Sequence, residues 1–230
     1  MNYRKTGFFI MIQRVVWACP ITYENSMLTT FFFNQVLDDY LGGKFSYGED
    51  TSRRFSKFHI DEIVKLAAFL FVGHGNNHFP SQNDMETIIP RPALQHFKAS
   101  VWCDKVCAHM KTTHSSNTPQ AQCEFLSKIR KKKLFGSSFF HVDVKLGNRA
   151  QQPAIVAINA SSFYLIDPDD DRIFMEQNVS RIMSIEAMDN ERNTCHVKIS
   201  SATGDPKIVT IKSKKAQLIE GIVEHHLRCR

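Results

Sequence analysis

Apolar positions along this chain change period once, near Gly136. Before it they recur every three to four residues. After it they alternate. Leu28, Phe32, Val36 and Tyr40 fall four apart, with Phe33, Leu37 and Leu41 beside them, which predicts a helix from about Ser26 that Gly42-Gly43 ends. Ile60, Ile63, Val64, Ala67, Ala68 and Phe71 predict a second helix over 59–73, stopped by Gly73-His74-Gly75, after a polar connection at 44–58. Residues 76–92 read as loop with one short helical turn. A third helix is expected from Pro92 or Ala93 to Met110. After a polar loop, Thr118-Pro119 supplies a cap and a first-turn proline for a fourth, ending near Lys131. Residues 8–18 read as a strand or short helix leading into Cys19-Pro20.

Beyond Gly136 seven short runs rich in β-branched and aromatic residues predict strands: Phe139–Lys145, Ala154–Asn159, Ser162–Ile166, Ile173–Gln177, Met183–Ala187, Cys195–Ser200 and Lys207–Lys212. Turn residues separate them, such as Gly147-Asn148, Asp167-Pro168-Asp169 and Gly204-Asp205-Pro206. The segment Lys214–Arg228 returns to helical spacing through Ile219, Ile222, Val223 and His226. Seven strands closed by one amphipathic helix is the architecture of a pleckstrin-homology (PH) or phosphotyrosine-binding (PTB) module. The expected fold class is α+β, a four-helix lobe followed by that β-sandwich.

Composition narrows the function. The 230 residues are enough for one large or two small domains, and 43% hydrophobic and 23% charged residues are ordinary for a globular protein. Net charge is +6, with 12 basic against 10 acidic side chains in residues 1–115 and 17 against 13 in 116–230. That tilt favours anionic partners or a solvated basic surface. Six scattered cysteines do not form a secreted disulfide framework and suit reduced thiols in the cytoplasm. The apolar run Gly7–Ile12 is broken by Gln13-Arg14 after six residues, too short for a signal peptide. Nothing approaches the ~20 apolar residues of a membrane span.

Catalytic and metal constellations are weak. Cys103, Cys107 and His109 share a helix but lack the paired short-spaced ligands of structural zinc sites. Asp167, Asp169 and Asp171 alternate like a calcium loop, yet Arg172 stands where glycine is needed and Asn178 where glutamate is needed. Neither a phosphate-cradling glycine loop nor a nucleophile elbow occurs. No catalysis, cofactor or metal is expected. Lys128, Arg130, Lys131, Lys132 and Lys133 form the densest basic cluster, read either as a solvated helix end or as a patch for anionic membrane or an acidic partner. The aromatic-spaced basic motifs of RNA-binding modules are missing, which argues against nucleic acid.

Several segments together resemble the second and third lobes of a FERM domain. Phe31–Gly43 resembles the first helix of the second lobe and Asp61–Ala68 its second. Gln122–Ile129 followed by Phe135-Gly136-Ser137-Ser138-Phe139-Phe140 resembles the lobe junction. Phe8-Phe9 through Gln13-Arg14-Val15-Val16-Trp17 resembles the passage into the second lobe in FERM domains that follow a myosin-tail homology domain in unconventional myosins and related proteins. The resemblance implies a lead-in over 1–22, an acyl-CoA-binding-protein-like helical lobe over 23–133 and a PH-like lobe over 134–230. No stretch resembles the first, ubiquitin-like lobe or a motor, so a longer parent protein or a truncated form is expected.

The function so implied is docking: a cytoplasmic, cytoskeleton- or membrane-associated module binding the tails of membrane or adaptor proteins, possessing no enzyme activity of its own. In modules of this architecture an extended peptide adds to the free edge of the fifth strand, beside the closing helix. The expected groove residues are Ile182, Met183, Ser184 and Ile185 on the strand and Ile219, Ile222, Val223 and His226 on the helix. Lys212, Lys214 and Lys215 at the helix start would attract an acidic peptide or phosphoinositide membrane. The competing reading is an intramolecular structural or autoinhibitory lobe of a motor or scaffold.

Overall fold

The computed structural model describes residues 26–48, 57–112, 117–188, 193–201 and 204–228. The expected lead-in over 1–22 lies outside them. The helical part comprises α1 (Ser26–Leu41), α2 (Lys57–Gly73), the one-turn α3 (Met85–Ile88) and α4 (Arg91–Leu94), α5 (Ala99–Thr112) and α6 (Thr118–Ile129). Seven strands follow: β1 (Ser138–Leu146), β2 (Gln152–Ile158), β3 (Ser162–Ile166), β4 (Ile173–Asn178), β5 (Ile182–Ala187), β6 (Thr194–Ile199) and β7 (Lys207–Lys212). Helix α7 (Ala216–Arg228) closes the chain's described part.

The α1 stripe buries Phe32, Phe33, Val36 and Tyr40, with Phe33 and Tyr40 packed on Phe125 of α6. A buried glutamine locks the three helices together. Gln122 of α6 donates to the Gly73 carbonyl of α2 at 2.9 Å and accepts from the Thr30 hydroxyl of α1 at 2.9 Å. Both amide ends are thereby satisfied, as burial requires. The expected third helix is broken in two. It stops after Leu94 and restarts at Ala99, where the Lys98 carbonyl accepts from the Val101 and Trp102 amides. The short helical turn expected within 76–92 is α3, where Met85 and Ile88, with the following Ile89, are fully buried. The cap of α6 is Asn117, whose side chain accepts from the Gln120 amide at 2.9 Å, rather than Thr118.

The strands form one antiparallel sheet in the order β4-β3-β2-β1-β7-β6-β5. Its concave core of Val142, Val144, Val156, Phe163, Val197 and Ile211 is closed by Ile219, Ile222 and Val223 of α7. Simple alternation fails in β2 and β3, where Ala154–Ile158 and Ser162–Ile166 are buried at every position. Their second face is covered from the helical side. Leu134, fully buried, packs with Ile155, Ala157, Tyr164 and Ile166, and Tyr47 and Phe139 border the same cluster.

Hydrogen bonds fix this junction. The Asn159 amide donates to the Lys133 and Phe135 carbonyls at 3.1 and 3.4 Å. Its oxygen accepts from the Ser161 and Ser162 amides, each at 3.0 Å. A second tie joins main chains, from the Gly48 N–H to the Asp171 carbonyl at 2.8 Å. Gly48 has φ +76, and a Cβ there would clash with the Ile173 Cδ1. Gly48→Ala should therefore cost about 1–3 kcal/mol in denaturant unfolding through backbone strain and overpacking. Wild-type stability in that variant would show that the two parts are not held by this contact.

Candidate peptide-docking groove

Among the described residues the strand β5 ends the sheet order, pairing with β6 alone. Its geometry follows from two bonds. Met188 donates its N–H to the Thr194 carbonyl of β6 at 2.9 Å. In an antiparallel ladder successive residues face opposite sides. Glu186 and Ser184 therefore face β6, while Ala187 and Ile185 present their backbone groups to the open edge. The Ala187 N–H does not stay open, because the Glu220 carboxylate of α7 accepts it at 2.7 Å. At the strand's other end the register shifts between Ile182 and Ser184, a β-bulge that leaves Met183 61% exposed.

Helix α7 is amphipathic, with an apolar stripe of period 3.6 and Glu220, Glu224 and Arg228 along one flank. Ile219, Ile222, Val223 and His226 are all buried. Each aliphatic one contributes about 1.5–3 kcal/mol to seating the helix. Of the eight groove residues expected from sequence, Met183 is exposed and Ser184 half-buried, while Ile182 and Ile185 face the core. The flank of α7 turned to the β5 edge is instead marked by Glu220, through its bond to Ala187. Glu224 and Leu227 follow one and two turns on along the same stripe, both half-buried. Sequence reasoning missed Glu220, because its partner lies 33 residues away.

Two titrations are shifted here. Burial first, and the Glu220 carboxylate second, push the Cys195 thiol up to about 12. Burial, and then the neighbouring His225, lower His226, whose Nε2 has no hydrogen-bond partner.

The basic cluster is divided by the fold. Lys132 pairs with Glu62 at 2.7 Å and Lys133 with Glu176 at 2.6 Å, so both serve internal contacts. Lys128 lies half-buried with its Nζ 5.8 Å from the Phe69 ring, and burial together with nearby Lys65 lowers its pKa. Arg130 and Lys131 are exposed and form no ion pair among the described residues. Lys212 and Lys214 are also exposed, and Lys215 leans over the Phe140 ring of β1, away from β5. The three lysines thus do not line the β5 edge as one set.

Elsewhere the weaker constellations resolve into structure. Cys103 and Cys107, 4.0 Å apart, both donate to the Pro80 carbonyl, at 3.3 and 3.6 Å. Asp167 and Asp170 cap their own turn by accepting the Asp169 and Arg172 amides. Among the described residues no three His, Cys, Asp or Glu side chains converge as a metal site would need, and no helix is long and apolar enough to cross a membrane.

A helical lobe is thus joined to a seven-stranded antiparallel sheet whose β5 edge lies beside a helix. The family model of the FERM central domain matches residues 20–140. Human unconventional myosin-XV is 26% identical over 216 residues, which is 94% of this chain and 6% of that protein. Human unconventional myosin-XVB is 20% identical over 162 residues, 70% of this chain and 5% of that protein. The C-terminal MyTH4-FERM domain of human myosin 7b, solved in complex with the harmonin-a PDZ3 domain, superposes with a TM-score of 0.73 at 15% identity, covering 94% of this chain and 42% of that one. The FERM domain of Drosophila merlin, solved with its C-terminal domain, gives 0.62 at 11% identity, over 88% of this chain and 64% of that one. This chain belongs to the FERM family, and its sequence relatives place it with the FERM domains of unconventional myosins. It spans about one-twentieth of the length of those myosins.

The buried histidine gives a pH test. Its lowered pKa means that the unfolded chain binds this proton more readily, so stability is full above the ordinary value of 6.5 and falls as pH drops below it. Replacing His226 with Leu should flatten the loss of unfolding free energy between neutral and mildly acidic pH. An unchanged pH dependence would show that His226 is solvated.

Proposed function

We propose that this chain is the docking part of a myosin-type tail and captures an extended segment of a cytoplasmic partner protein along β5. The observation that carries this reading is the outward-facing backbone of Ile185, on an edge strand flanked by α7. Backbone pairing supplies affinity and the flanking side chains supply choice. The myosin 7b neighbour, a MyTH4-FERM domain solved with a PDZ domain, supports a protein as the class of partner. The parent motor supplies any link to the cytoskeleton, and the binding step makes and breaks no covalent bond.

A displayed library of extended twelve-residue peptides tests this directly. Peptides selected on the wild-type chain should bind a Met183→Glu variant about fivefold or more weakly, since that exposed side chain sits on the edge and its charge would meet the arriving strand. Selected peptides that bind the variant equally well would move the site off β5.

Exposure of Arg130 and Lys131 favours one further contact, with an anionic membrane surface. Sedimentation with phosphatidylserine vesicles should show binding at low salt that fades as the screening length falls below ~10 Å. Arg130→Glu with Lys131→Glu should abolish it. Binding that survives both salt and the double variant would exclude this patch.

A further inference from the structure

The β5 edge is short because it is closed at both ends. At its start the bulge puts Met183 out of register. At its end Glu220 Oε1 already holds the Ala187 N–H at 2.7 Å. Between them Ile185 keeps an N–H and a carbonyl facing outward. Unprotected edges invite indiscriminate pairing, and a carboxylate on the last free donor is one way to blunt such an edge.

That carboxylate has a second oxygen. Oε1 is engaged, and Oε2 is left to accept from whatever lies in the groove. Glu224 stands one turn further along the same flank, 2.8 Å from the Arg228 guanidinium. An arriving ammonium or guanidinium can bond Oε2 without displacing Ala187. An acidic side chain there would face like charge in a half-buried site.

We propose that Glu220 sets the specificity of the groove: it ends strand addition at Ala187 and selects an extended segment that pairs with Ile185 and presents a lysine or arginine to Glu220. The inference rests on the docking reading above. It gives the occupant a sign opposite to the acidic segment suggested by Lys212, Lys214 and Lys215. Of those lysines, Lys212 lies on β7 and Lys215 leans over the Phe140 ring of β1.

Two labelled ten-residue peptides of alternating Thr and Val test it, one with Lys and one with Glu at every fourth position. Each is titrated against the whole chain by fluorescence polarisation. The lysine peptide should bind the wild type about fivefold or more tightly than its glutamate counterpart. Glu220→Gln keeps an oxygen on the Ala187 N–H but removes the charge, so it should fold normally and bring the two affinities together. Glu220→Ala, which also frees the Ala187 donor, should lose the preference too. A preference that persists in Glu220→Gln, or a wild-type preference for the glutamate peptide, would overturn the role of Glu220 and leave strand docking standing. Absence of binding by both peptides would overturn docking and the specificity together.

Discussion

Leu134 and Asn159 are the constraint on which the rest of the molecule depends. Leu134 fills the outer face of β2 and β3, and Asn159 holds the chain on either side of it by donating to the Lys133 and Phe135 carbonyls. In strands packed on both faces a one-residue shift in register would misfit side chains of different size against two close-packed layers at once. The helical lobe therefore fixes the half of the sheet furthest from the groove. The β5 edge, at the other end of the strand order, is left to vary its exposure.

The two ends of the sheet meet different fates. The β4 edge is tied to the helical lobe through the Lys133–Glu176 pair and the Asp171 carbonyl beside it. The β5 edge has α7 alongside it, a bulge and one carboxylate. The helix beside the β5 edge also completes the core. A ligand in the proposed groove would meet a wall that cannot easily retreat, since Ile219 and Val223 are wholly buried beneath it.

Much of this was legible from residue order alone. The change of period near Gly136 separated helices from strands, and all seven strands lie within about two residues of their expected positions. Short elements were less legible. One turn over Met85–Ile88 offers too few positions for a period, and its burial depends on distant helices. The α4–α5 break was hidden because an apolar stripe runs across it. In the groove, the stripe of α7 was visible, but periodicity cannot say that Ile219, Ile222, Val223 and His226 are consumed by the core. Nor can it say which flank faces β5. Glu220 carries no motif; its meaning comes from one tertiary bond to a main-chain amide.

The bond between Gly48 and Asp171 has a consequence for how such a chain can drift. It is made by two backbone groups, an N–H from the helical part and a carbonyl from the β3–β4 turn. Apart from the glycine that its geometry demands, neither partner is chosen by its side chain. The Asn159 bonds also end on main-chain carbonyls, although their donor is the side-chain amide. Attachments written in peptide groups survive replacement of the residues that carry them, which is compatible with a shared architecture at only 15% identity to the myosin 7b domain. The freedom this leaves falls on side chains at the open edge, so divergence among such proteins can retune what they hold while the frame that holds it stays put.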